Sequence, residues 1–274
     1  LTGTASPRAD SDVTAVAAGP NAVAEAPDDA ETWRRVAAAR RELGDGDGAA
    51  SSWRAAAALE PRSPSALEQL ARHYEERGDP AAALDVLVQA ADLAPDVADY
   101  RRRAGKLCLA LGQPEAAVAH LARAAALTPA DPVVQHELGA ALRGAGQDER
   151  ALGVLRRAAR LAPDDAGVQA DLAAVARELG RLNEARAAVD AAIAAAPDRA
   201  DLYAARGEID LARGDIVAAQ DALRRAVQLA PEDRVFSLRL ADLYRPADAQ
   251  VARQLLEQLA DIAPDGEVSR RLAA

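Results

Sequence analysis

Between residues 64 and 95 the apolar positions follow the period of two short helices, one after the other. Leu67, Leu70, Ala71 and Tyr74 stand at i, i+3, i+4 and i+7, which is one face of an α-helix. Ser63 is placed to cap that helix, and Pro64 to open it, where a missing N–H costs nothing. Gly78 stops it by supplying the left-handed backbone that a Cβ disfavours. Asp79 then caps a second helix opened by Pro80, with Ala83, Leu87, Ala90 and Leu93 as its inner face and Pro95 as its stop. Neither helix can bury its stripe alone, so the pattern predicts stacking on copies of itself.

The copies are present. Prolines recur at Pro61, Pro95, Pro129, Pro163, Pro197 and Pro231, each 34 residues after the last, and Pro264 follows at 33. Turn glycines keep the same register at Gly44, Gly78, Gly112, Gly146, Gly180 and Gly214. Small residues mark where the two helices of each unit must approach closely: Ala37, Ala71, Gly105, Gly139, Ala173, Gly207 and Ala241. The second helices are expected to answer with Ala49, Ala83, Ala117, Ala151, Ala185, Ala219 and Ala252. A larger side chain at either place pushes the helix axes apart.

This pattern resembles the tetratricopeptide repeat (TPR) family over residues 30–264. The aromatic and aliphatic slots of that family's repeat are filled by Trp33, Leu67 and Tyr203 at the fourth position, and by Val36, Leu70, Leu138 and Leu172 at the seventh. The third repeat departs, with Arg101 in the aromatic slot and Cys108 in the tyrosine slot. The seventh departs with a short turn at Arg245-Pro246 and with Leu259 in place of alanine. The resemblance implies an all-α, right-handed superhelical solenoid of seven helix-turn-helix repeats. Residues 1–29, rich in Ala, Pro and Asp, read as an acidic tail or linker. Residues 265–274 read as a partial capping helix through Val268 and Leu272. Two-residue junctions such as Asp131-Pro132 and Asp164-Asp165 predict an unbroken array.

Composition narrows the chemistry. The chain of 274 residues has a net charge of −10, which disfavours unspecific attraction to nucleic acid or an anionic membrane. No apolar run is long enough to span a bilayer. Arginine outnumbers the single Lys106 so heavily that a GC-rich, bacterial genome is the simplest source. Cys108 has no partner for a disulfide. His73, His120 and His136 lie on separate helices at no ligand spacing, so no metal or cofactor is expected. Nucleophile elbows, phosphate loops and dinucleotide fingerprints are missing, and the reading is non-enzymatic. Trp33, Trp53, Tyr74, Tyr100, Tyr203, Phe236 and Tyr244 all fall on core or junction positions, leaving no aromatic platform for bases. The chain starts at Leu1 and holds no methionine, which suggests a processed chain or a fragment and leaves the compartment open.

What remains is binding. In TPR proteins the first helices of successive repeats line a groove that holds a partner segment. On that resemblance the groove residues here are Arg34, Arg35, Glu68, Gln69, Arg72, Arg102, Arg103 and Lys106, with His136 further along. The N-terminal half is therefore basic, and it is expected to dock an acidic segment of a protein or peptide through arginine–carboxylate pairs. The acidic tail is a second candidate for the same face. The ninth positions (Ala38, Arg72, Lys106, Ala140, Ala174, Glu208, Asp242) contain no asparagine, which argues against the carboxylate clamp that holds chaperone C-termini. The function expected is a scaffold or adaptor that assists assembly of a larger complex, with self-association through the repeat ends possible. The alternative is a TPR module belonging to a larger enzyme or regulator.

Overall fold

The computed structural model describes residues 28–245, 248–262 and 268. They are helical throughout and fall in two compact units, Leu1–Pro129 and Ala130–Ala274. The first holds α1 (Ala30–Glu42), α2 (Gly46–Leu59), α3 (Ser65–Glu76), α4 (Pro80–Leu93), α5 (Ala98–Ala110) and α6 (Pro114–Leu127). The second holds α7 (Pro132–Gly144), α8 (Asp148–Leu161), α9 (Ala166–Glu178), α10 (Leu182–Ala195), α11 (Ala200–Ala212), α12 (Ile216–Leu229), α13 (Arg234–Tyr244) and α14 (Ala249–Ile262). Odd and even helices pair within a repeat, and each even helix also packs on the odd helix that succeeds it in the same unit. In the second unit α9 additionally touches α7 and α11, so first helices of neighbouring repeats lie side by side.

Helix ends obey the punctuation of the sequence. Asp29, Asp45, Asp79, Asp131, Asp165, Asp215 and Asp233 each accept a backbone N–H from the first turn of the helix they open. Ser63 does not cap α3: Pro64 takes the cap position and no side chain bonds the first turn. Six glycines close the first helices with φ between 68° and 81°. At Gly112 the amide bonds Leu109 O at 3.0 Å, and the next amide, Gln113, reaches back to Cys108 O at 2.8 Å, the paired bonds of a Schellman turn.

The cores are thin and made mostly of alanine and leucine. Leu67, Leu70, Ala71 and Tyr74 are buried, as are Ala83, Leu87 and Ala90. Leu93 is not; it is 39% exposed, so the inner face of α4 ends one turn early. The close approach within each repeat is visible at the glycines. A Cβ on Gly105 would lie 2.5 Å from Leu121 Cγ, and one on Gly139 would lie 2.6 Å from Leu155 Cδ2. On Gly207 it would meet Leu223 Cγ at 2.9 Å. The residue that enforces smallness is thus the leucine sixteen positions on, more than the alanine expected to face it, although all seven alanines are buried. Each such fully buried leucine contributes about 1.5–3 kcal/mol by leaving water.

Residues 1–27 and most of 263–274, with the tail and the capping segment assigned from sequence, lie outside the described residues. Val268 is described and fully buried, packing with Leu238, Ala241, Ala252, Leu256 and Leu259.

Two glycine substitutions are expected to move stability in opposite directions. Gly139→Val should destabilise by about 1–3 kcal/mol, because Leu155 leaves no room for the added atoms. Gly153→Ala, in α8 with nothing within 4 Å of the new Cβ, should stabilise by up to about 1 kcal/mol through helix propensity. Urea unfolding monitored by circular dichroism checks both signs.

Candidate partner-binding face

The expected site residues of the first unit lie on its three odd helices: Arg34 and Arg35 on α1, Glu68, Gln69 and Arg72 on α3, Arg102, Arg103 and Lys106 on α5. The 34-residue period puts them at matching helix positions, and two contacts join α3 directly to α5. Arg103 binds Glu75 with both arms of its guanidinium, at 3.1 and 2.6 Å, and the Tyr100 hydroxyl donates to Glu68 at 3.3 Å.

Most of these cations already hold a carboxylate of the same chain. Arg34 bonds Glu60 at 2.7 Å and Glu31 at 2.9 Å, and it is raised above an ordinary arginine first by the Glu60 bond and then by Glu31. Arg72 pairs with Glu68 at 3.2 Å and Arg102 with Asp99 at 2.8 Å. Asp99 also sits 3.7 Å from Arg103. The like charges on one turn of α5 are therefore offset from two sides, by Asp99 below and Glu75 across. Arg35, Arg72 and Lys106 are exposed, whereas Arg103 is largely covered.

His136 belongs to the second unit and does not join this cluster. Its Nε2 lies 2.6 Å from Asp171 Oδ2 on the next first helix, and Arg143 approaches the other Asp171 oxygen at 3.9 Å while bonding Glu178 at 2.8 Å. Farther along, Glu208 faces Arg177 at 3.7 Å and also contacts Arg239. The first helices of this unit are thus joined to one another by ion pairs between repeats.

Two buried charged residues escape a reading based on periodicity. Arg101 is only 7% exposed; it turns away from the candidate face and bonds Asp92 at 2.7 Å, Ala91 O at 3.5 Å and His120 Nδ1 at 3.4 Å. Burial first, and then Arg101, push the His120 imidazolium down, which suits a ring that accepts this contact. Asp210 is fully buried where Tyr74 stands in the second repeat, held by Arg186 at 2.8 Å with Arg213 at 3.5 Å and Arg206 at 3.7 Å. A carboxylate at the eleventh repeat position was the available signal, since an uncompensated charge cannot occupy a core slot.

Among the described residues no group of three or more His, Cys, Asp or Glu side chains could hold a metal, and no helix is long and apolar enough to cross a membrane. Cys108 is buried, and burial pushes its thiol up, away from the reactive thiolate.

Tetratricopeptide repeat models match the sequence over residues 37–88, 74–142 and 142–209. The chain belongs to the tetratricopeptide repeat family. No curated protein sequence matches it. Among solved structures, it is similar to YrrB, described as a TPR protein with an unusual peptide-binding site, at 20% identity and a TM-score of 0.63, over 70% of this chain and 99% of that one. It is similar to MamA (residue 41 to the end) from Desulfovibrio magneticus RS-1 at 25% identity and a TM-score of 0.56, over 60% and 94% of the two chains. It is also similar to the C-terminal part of a TPR protein from Cytophaga hutchinsonii, at 15% identity and a TM-score of 0.69, over 87% and 98%. These likenesses support the TPR fold of the repeats.

The His136–Asp171 pair makes the second TPR unit sensitive to pH. The hydrogen bond to Asp171 raises the imidazolium above its usual 6.5 against the opposing effect of burial, with further help from the charges of Asp171, Asp165 and Glu137. A raised folded value means stability that is complete below 6.5 and lost as pH climbs through the folded value. The stability gap between the native chain and Asp171→Asn should therefore be wider at about pH 6 than at about pH 8.5. An NMR titration placing His136 at or below 6.5 would overturn this.

Proposed function

We propose that the chain is a non-catalytic protein-interaction scaffold that receives a partner segment on the first-helix face of its N-terminal unit. The observation that supports this reading is the alignment of exposed, long polar side chains on three successive first helices, with Arg103–Glu75 and Tyr100–Glu68 fixing α3 against α5. A prearranged surface of this kind lowers the ordering cost of binding. The TPR fold is an interaction module in its own right, and the peptide-binding site named for YrrB is consistent with that use.

Residual charge sets the partner chemistry. Across α1, α3 and α5, apart from the buried Arg101, eight arginines and lysines stand against six carboxylates. An acidic segment matches that surplus. Arg103 serves it indirectly, because its bidentate fork is taken by Glu75; the exposed Arg72 and Lys106, with Arg35 and Gln69 beside them, make the contacts. The acidic segment comes from a separate protein, and the scaffold brings that protein into a larger assembly.

The test is fluorescence anisotropy with a labelled glutamate-rich dodecapeptide as probe. The native chain should bind it in a salt-dependent manner, and the double variant Arg72→Glu with Lys106→Glu should weaken binding by about tenfold, or roughly 1.4 kcal/mol. Equal affinity of native and variant chains would remove the acidic-partner reading.

A further inference from the structure

On the side of the second helices, the N-terminal unit has a cleft of about 640 Å³ between α2 and α4, floored by α3. Its apolar lining is Ala57, Pro61, Leu67, Leu70, Val86 and Leu93, and polar side chains line it as well. This surface is distinct from the basic first-helix face, and the two readings stand or fall separately.

The chain contains a second copy of this cleft, one repeat later, and the copy is filled. Residues 34 positions on from Leu67, Ala57, Ala58 and Val86 are Arg101, Ala91, Asp92 and His120. In that copy the Arg101 stem is buried and its guanidinium reaches Ala91 O, the Asp92 carboxylate and His120. Ala91 O is an orphan for a plain reason: the helical partner it would have is the amide of Pro95, which has no N–H. Pro61 likewise denies Ala57 O its helical donor, and Ala57 lines the open cleft. Leu67 is too short to fill the space and has nothing to donate.

The rim sets the sign of the missing group. Glu60 and Asp92 line the cleft together with one cation, Arg54. Arg54 is engaged by Tyr74, lying over its ring at 5.7 Å and bonding its hydroxyl. Glu60 and Asp92 each hold one arginine of this chain, Arg34 and Arg101, and a carboxylate can accept several bonds. A long apolar stem with a cationic, multiply donating head fits walls, orphan carbonyl and rim together. We infer that this cleft is a docking site for an arginine side chain presented by a partner peptide, which completes in trans the packing that Arg101 completes in cis.

The experiment is a methyl NMR titration of the full chain with three capped tripeptides, acetyl-Ala-Arg-Ala-amide and its leucine and glutamate counterparts. The arginine peptide should give saturable shifts at the Leu67, Leu70 and Val86 methyls, with half-saturation in the millimolar range, and the other two should not. Leu67→Arg, which places an arginine of the chain itself at the position Arg101 holds one repeat later, should abolish the response to the arginine peptide. Arg72→Glu with Lys106→Glu should leave it unchanged. Absence of saturable shifts, or equal shifts from the leucine peptide, overturns the inference, and the native-chain comparison decides this even if Leu67→Arg does not fold.

Discussion

Everything in this chain depends on how closely two helices can lie within one repeat. The eighth position of each repeat is Ala or Gly, and at Gly105, Gly139 and Gly207 the leucine sixteen places on leaves no room for even a Cβ as placed. That contact fixes the distance between the paired helices. The distance determines which side chains of one repeat meet those of the next. Stacking is then cooperative in the one-dimensional sense, since each helix pair buries its stripe only if its neighbour is in register.

Because register is set by apolar contacts, ion pairs are free to decorate the first-helix face without carrying the fold. Arg103–Glu75, His136–Asp171 and Arg143–Glu178 each bridge consecutive repeats, with spacings of 28 and 35 residues that only the 34-residue repeat can bring together. Partly exposed pairs of this kind contribute little stability individually. Their effect is geometric: they hold long side chains in one arrangement and leave a face with a modest charge surplus rather than a bare row of arginines. A partner reading this face meets prearranged carboxylates as well as cations, so charge pattern matters more than charge sum.

The repeat architecture was legible in sequence for reasons that are local. Gly112 and its equivalents need φ > 0, prolines stop second helices, and aspartates cap the helices that begin after them; each rule acts within a few residues. Legibility ended where the answer lay a repeat away. That Glu75 would claim the Arg103 fork could not be read from either helix alone. Arg101 reads as a departure in the aromatic slot of its repeat, and it is more deeply buried than Arg102 and Arg103 because the three point to different sides of α5. Ser63 looked like a cap, but Pro64 already supplies the carbonyl that Glu68 N needs, at 2.8 Å. Asp210 was hidden by the assumption that a core slot holds an apolar residue.

The fourth repeat position shows how one structural problem admits several chemical answers. A proline follows each second helix from α2 to α12 and strips the carbonyl four residues earlier of its helical donor, and the fourth residue of the next repeat is where the answers differ. Arg101 answers with a guanidinium on Ala91 O, and Gln169 sends its amide to the carbonyl of the stop proline itself, Pro163 O, at 3.0 Å. Tyr203 fills the position with a ring that Arg225 covers at 6.0 Å. Seen as sequence, Arg and Gln are departures from an aromatic slot; seen as packing, they are solutions that add a donor to the volume. Leu67 supplies neither volume nor donor, and that difference, more than any motif, is what separates the cleft between α2 and α4 from its filled copy.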